Sequence, residues 1–169
     1  MTAPAVVWVL GSDSDLPHIQ DGLAALRELD ISFEVRLLSA HRTPDAVDEL
    51  ARSARERGVR VLIGVAGGAA HLPGVLAART TLPVIGVPIP TDLAGGLDSL
   101  LSIVQMPAGI PVATVAAGKS GGRNAALLAA SIMSVADARV AAALDAGRRA
   151  MADKVLARDR EKGVRVQGG

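Results

Sequence analysis

Ala5-Val6-Val7-Trp8-Val9-Leu10 is an unbroken apolar run of strand length, and it stops abruptly at Gly11-Ser12-Asp13-Ser14-Asp15. Pro17 then opens a stretch in which Ile19, Leu23 and Leu26 recur at helical spacing. A strand without polar alternation is buried on both faces, which is the habit of parallel sheets covered by helices. The same unit recurs along the chain. Phe33–Leu38 reads as a second strand, and Thr43-Pro44 after it is a helix start, with Thr43 as N-cap and Pro44 in the first position. Val47, Leu50, Ala51 and Ala54 form the stripe of that helix, and Gly58 ends it. Val59–Ala66 is a third strand, followed by a short helix over His71–Arg79. Val84–Val87 is a fourth, a Pro/Gly-rich loop runs to Gly96, and Leu97–Gln105 is a short helix. Val112–Ala116 is a fifth strand, and Gly121–Arg158 is Ala-rich and helical, with a break expected near Gly147.

Strands alternating with helices define an α/β chain. Five such units predict a three-layer flavodoxin-like fold: a parallel five-stranded sheet of order 2-1-3-4-5, helices on both faces and a long C-terminal helix. Residues 1–162 form a single domain and 163–169 a C-terminal tail. No internal repeat or linker divides the chain. The Ala-rich C-terminal helices are long for a monomer of this size, so part of their apolar face is expected to pack on a neighbouring subunit.

Composition narrows the function. The 169 residues are 50% hydrophobic and 21% charged, too apolar and too balanced for disorder. Eighteen basic residues oppose seventeen acidic ones, so the excess positive charge that grips nucleic acid is missing. Trp8 and Phe33 are the only aromatics, which disfavours base-stacking platforms and a ring-sandwiched flavin. There is no Cys, which excludes disulfides, thiolate nucleophiles and zinc–thiolate or iron–sulfur sites. Val61–Ala78 and Ser99–Gly118 lack charge, but Gly and Pro interrupt them, so they read as buried units rather than membrane spans. Met1–Leu10 lacks a basic leader, so a soluble cytoplasmic protein is expected.

In open parallel sheets, ligands bind beyond the carboxyl ends of the strands where the strand order reverses. Here that is between strands 1 and 3, and it singles out Gly11–Asp15, Ser39–Pro44 and Gly67–Gly74. In the first loop, two hydroxyls and helix-terminal amides suit a phosphate and Asp15 suits ribose hydroxyls; an Asp/Ser-rich helix cap is an equal reading. The second sets His41, able to give and take a proton, beside Arg42, able to clamp a phosphate. The plainer alternative makes His41 a support for the helix cap and Arg42 a solvated charge. The third surrounds His71 with small residues that let backbone approach a ligand; a tight turn with a half-buried His is the alternative. His18, early on a helix, reads as a surface residue. Gly118-Lys119-Ser120 imitates a phosphate-binding loop, but position 113 is Ala where that motif needs Gly. The three His are too far apart in sequence to supply a short ligand pair, so no metal is expected.

With these loops in view, the chain resembles the class I PurE-type enzymes, the N5-carboxyaminoimidazole ribonucleotide mutases of purine biosynthesis. The resemblance rests on GSDSD at 11–15, SAHRTP at 39–44, GVAGGAAHLPGVLAARTTLPVIGVP at 64–88, GLDSLLSIVQMPAGIPVATVA at 96–116 and NAALLAA at 124–130. These cover most of the chain in order. Arg42 after His41 is similar to class I, where the class II carboxylases usually show Lys followed by Gly. Ala108 departs from the Arg or Gly often found there. The resemblance implies that Ser12 and Asp15 bind substrate, and that Arg42 holds its phosphate with Ser14 and Ser39 nearby. It makes His41 the catalytic acid/base. It puts His71 and the Gly67-Gly68-Ala69-Ala70 backbone at the carboxylate or carbon dioxide. It further implies a homo-octamer with sites at subunit contacts, and no metal, nucleotide cofactor or biotin. The partners are then a ribonucleotide and transient carbon dioxide. The competing reactions are direct carboxylation of aminoimidazole ribonucleotide by carbon dioxide and, more remotely, nucleotide binding without turnover.

Overall fold

A computed structural model describes residues 3–163. Five strands, β1 (Val6–Leu10), β2 (Phe33–Leu37), β3 (Val61–Ala66), β4 (Val84–Pro88) and β5 (Ala113–Thr114), form one parallel sheet of order β2-β1-β3-β4-β5. Six helices alternate with and follow them: α1 (Leu16–Glu28), α2 (Pro44–Ser53), α3 (Leu72–Ala77), α4 (Leu97–Val104), α5 (Gly118–Ser134) and α6 (Ala138–Lys162). The expected three-layer α/β architecture and strand order are those observed.

Every residue of β1 is fully buried because successive side chains enter different layers. Val6, Trp8 and Leu10 join Ile63, Val65 and Val87 beneath α1 and α5. Val7 and Val9 join Leu62 and Val84 beneath α2, α3 and α4. The α1–α5 contact is close because both helices are trimmed to small residues there. Ala125, Ala126, Ala129 and Ala130 are fully buried. A Cβ on Gly22 would collide with the carbonyl of Gly122 and come within 2.9 Å of the Trp8 ring. This contact sets the height of α1, and with it the position of the loop leading from β1.

Four local expectations need correction. β5 is two residues rather than Val112–Ala116: it pairs only with β4, and after Thr114 the chain turns off to begin α5. That helix starts at Gly118, whose φ of +68° turns the chain against Pro90, so Gly118-Lys119-Ser120 is its first turn. The break in the C-terminal helices falls at residues 135–137, not at Gly147. Asp137 caps α6 by accepting hydrogen bonds from the backbone N–H groups of Arg139 and Val140, at 3.0 and 3.2 Å. Gly147 lies exposed inside α6, where a glycine costs only about 1 kcal/mol and does not stop a long helix. Thr43 precedes α2, but its hydroxyl makes no cap; it turns back to Ser39.

The C-terminal helices also differ from each other. α5 is packed into the core, whereas α6 buries only Val140 and leaves Met151, Val155 and Leu156 exposed. Of the proposed tail, residues 164–169 lie outside the described residues, and Gly163 caps α6. Among the described residues no helix is long and apolar enough to cross a membrane.

Candidate active site

A cleft of about 530 Å³ opens at the carboxyl ends of β1, β2, β3 and β4. That volume is within the usual range for a small-molecule site. Four loops line it.

The first loop is a single 3-10 turn over Asp13–Asp15. The Ser12 hydroxyl accepts hydrogen bonds from the Ser14 N–H and hydroxyl, at 3.3 and 2.8 Å. Asp15 accepts the Ser12 N–H at 3.1 Å. Asp15 is only 6% exposed, and burial raises its carboxyl above the ordinary range, against the opposing pull of the Ser12 N–H and the nearby His18. The loop therefore caps a short helical turn, and its hydroxyls and carboxyl line the cleft.

The second loop is knotted on Ser39. Its hydroxyl accepts the backbone N–H groups of His41 and Arg42, at 3.3 and 3.2 Å. The Thr43 hydroxyl accepts the Ser39 N–H at 2.9 Å and donates to the Ser39 carbonyl at 3.1 Å. This turn projects His41 and Arg42 into the cleft. The Arg42 guanidinium donates to the Gly11 carbonyl at 3.2 Å, tying the second loop to the first. No carboxylate pairs with Arg42 among the described residues, so most of its five N–H donors remain for a ligand.

The third loop turns through two left-handed residues, Gly68 at φ +67° and Ala70 at φ +41°. It delivers His71 to the start of α3. There His71 Nδ1 meets His41 Nε2 at 2.7 Å, with the rings edge to face at 76°. Only one proton fits between two nitrogens at that distance, so the contacting pair carries at most one positive charge. The facing nitrogens are also turned to each other rather than to a common metal. Among the described residues no group of three or more His, Cys, Asp or Glu side chains is placed to hold a metal ion.

The cleft thus gathers Ser12, Ser14, Asp15, Ser39, His41, Arg42, Gly67, Ala70 and His71. Gly68 and Ala69 lie outside its lining. The Gly68 N–H points away from the cleft, donating to the Ser99 hydroxyl at 2.9 Å. Sequence reasoning missed the fourth loop, Ile89-Pro90-Thr91, which closes the wall beside β4. Its signal was available: β4 neighbours β3, so its carboxyl end must border the same opening. His18 is half-buried rather than on the surface. Its Nδ1 is buried without a hydrogen-bond partner and lies 3.6 Å from where a Gly118 Cβ would stand.

One end of the cleft is therefore cationic and hydroxyl-rich, suited to a phosphate, and the other holds a proton-sharing imidazole pair beside small residues. The sequence profile described as AIR carboxylase matches residues 5–154. A protein of Mycobacterium tuberculosis named N5-carboxyaminoimidazole ribonucleotide mutase is 56% identical over 158 residues, covering 94% of this chain and 90% of that protein. A protein of the same name from Bacillus subtilis is 52% identical over 153 residues, covering 90% and 94%. The crystal structure of Treponema denticola PurE superposes with a TM-score of 0.86 at 29% identity, covering 95% of this chain and 99% of that one.

Proposed function

The chain belongs to the AIR carboxylase family, and we propose that within it the chain works as an N5-carboxyaminoimidazole ribonucleotide mutase. The reaction moves a carboxyl group from the exocyclic nitrogen to the adjacent ring carbon, giving 4-carboxy-5-aminoimidazole ribonucleotide in purine biosynthesis. The observation that carries this reading is identity above 50% to named mutases over nine-tenths of both chains.

The site supplies a route. Arg42, Ser12, Ser14 and Ser39 hold the phosphate, and Asp15 takes a ribose hydroxyl. The ring then lies against His41. Protonated His41 gives its proton to the exocyclic nitrogen as the N–C bond breaks, and that bond's electron pair stays on nitrogen while carbon dioxide leaves. The ring carbon attacks the carbon dioxide, forming the new C–C bond. Neutral His41 removes the proton from that carbon, which restores the aromatic ring and the protonated His41. Atoms and charge balance over the cycle, and one group serves both steps. His71 shares a proton with His41 and so fixes which imidazole nitrogen carries it. Gly67 and Ala70, with Ile89, form the small apolar end that confines carbon dioxide and makes its recapture effectively unimolecular.

Supplying each substrate separately tests the reading. Turnover of N5-carboxyaminoimidazole ribonucleotide without added bicarbonate is expected. Activity only on aminoimidazole ribonucleotide at high bicarbonate would replace it with direct carboxylation, the reaction in the family's own description. Binding of the nucleotide without product would make the protein a non-catalytic module.

The same reading includes a homo-octamer acting in the cytoplasm. Its support is the apolar surface left uncovered. Leu97, Leu100, Leu101 and Val104 form an outward stripe on α4, between 36% and 48% exposed, and Met151, Val155 and Leu156 do so on α6. Their spacing is that of a helix face built to be buried. Light scattering at micromolar concentration is expected to find eight chains; a monomer would contradict this part.

A further inference from the structure

Ser99 is a fully buried polar side chain that the reaction route does not use. It lies in the first turn of α4, and its hydroxyl bridges two segments distant in sequence. It accepts the Gly68 N–H at 2.9 Å and donates to the Ile89 carbonyl at 2.7 Å. Ile89 and the third loop are adjoining walls at the apolar end of the cleft: a Cβ on Gly67 would stand 3.3 Å from the Ile89 Cβ. The neighbouring Asp98 accepts a hydrogen bond from the hydroxyl of Thr91, a cleft-lining residue, at 2.6 Å, and this bond draws the Asp98 carboxyl below its usual range. Gly96, which precedes α4, lies against the same wall: a Cβ there would stand 2.9 Å from Pro90 Cα and 3.1 Å from the Ile89 carbonyl. The first turn of α4 is therefore strapped to both walls. A third tie, the Ile89 N–H to the Ala66 carbonyl at 2.9 Å, runs directly between β3 and the segment after β4.

We infer that Ser99 is a positioning residue that clamps the Gly67–Ala70 turn to Ile89 and so keeps released carbon dioxide in the cleft until it is recaptured. The inference rests on the mutase reading. Ser99 touches neither the substrate nor the reacting atoms. Gly68 takes a left-handed conformation and its N–H is held by the Ser99 hydroxyl, so this bond anchors the turn to α4. Removing one buried hydrogen bond shifts a local opening equilibrium by about tenfold. Escape of carbon dioxide through the opened turn competes with recapture, so the loss appears as a change in product partition, not only as a slower rate.

The test is Ser99→Ala given N5-carboxyaminoimidazole ribonucleotide labelled with carbon-13 in its carboxyl group, in buffer holding unlabelled bicarbonate. Label retained in the product and the yield of decarboxylated nucleotide are measured above the enzyme-free background. Wild type is expected to retain most of the label. Ser99→Ala is expected to release decarboxylated nucleotide about tenfold more often per turnover, and to draw unlabelled carbon from solution. Thr91→Val cuts the neighbouring strap at a half-exposed position. It is expected to shift the partition in the same direction by a smaller factor, and it decides the matter if Ser99→Ala does not fold. Variants that are slower but retain label like wild type overturn the inference and leave the mutase reading standing. A wild-type enzyme that itself exchanges label with solution overturns the closed-cleft route and the inference together.

Discussion

Replacing Arg42 with Met should raise KM for the nucleotide by about two orders of magnitude while changing kcat only a few-fold. One guanidinium N–H is spent on the Gly11 carbonyl, and the backbone N–H of Arg42 is held by Ser39. Arg42 lines the same cleft as the hydroxyl-bearing Ser12, Ser14 and Ser39. Two charge-assisted hydrogen bonds to a phosphate contribute roughly 1.5–3 kcal/mol each. Arg42 is exposed, so solvent screening favours the lower figure, about 3 kcal/mol in total. At 1.4 kcal/mol per tenfold, that is about a hundredfold in affinity. The phosphate is remote from the atoms that react, so ground and transition states lose the same interaction and KM carries the effect. Lys keeps the charge but not the planar fork, so Arg42→Lys should fall between wild type and Met. Initial rates over a range of nucleotide concentrations, with calorimetric binding alongside, measure both quantities. A KM within threefold of wild type, or a collapse of kcat at unchanged KM, would refute the placement of the phosphate.

Two further predictions concern the frame around the site. Gly22→Ala puts a methyl group into the Gly122 carbonyl and the Trp8 ring; overpacking of this kind costs about 1–3 kcal/mol, or some 2–12 °C in Tm for a chain of this size. Thermal unfolding of the variant within 1 °C of wild type would contradict the close α1–α5 contact. Asp15 has a raised carboxyl pKa, so the native chain binds that proton more tightly than the unfolded chain does. Its contribution to stability is therefore greatest below the ordinary carboxylate range and declines as pH rises through the native pKa. The stability of wild type minus that of Asp15→Asn should accordingly fall with rising pH across that window in urea titrations; a rising difference would show that the carboxylate is stabilised instead.

The sheet was legible because its three central strands, β1, β3 and β4, are continuous apolar runs, and two-sided burial leaves no other use for such a run; the edge strand β2 carries Glu34 and Arg36 and is only partly buried. The rule of the reversed strand order then brought His41 and His71 to one opening although 30 residues separate them. Their nitrogen-to-nitrogen contact was not legible, because it depends on the left-handed turn at Gly68 and Ala70, and a non-Gly residue gives no sign that it will adopt positive φ. Gly147 misled because composition marks a glycine but not whether the surrounding helix needs to stop there. Asp137 lacks the Glu or Gln three residues on that completes a capping box, so the true break had only half its usual mark. Ser99 was silent for a different reason: a serine in an apolar helical run shows neither which distant loops it will bridge nor that it will be buried.

The proton shuttle assigned to His41 is tested most directly by His41→Asn, with turnover and nucleotide binding measured on the same preparation. Asn keeps a polar side chain of moderate size but cannot carry a proton between the nitrogen and the ring carbon. General acid–base catalysis contributes about 10²–10⁴-fold, and here one group serves two steps, so a fall in kcat of at least about a thousandfold is expected. The nucleotide is held chiefly at its phosphate and ribose, so its dissociation constant should stay within a few-fold of wild type. Near-normal turnover by His41→Asn would contradict the account at its centre.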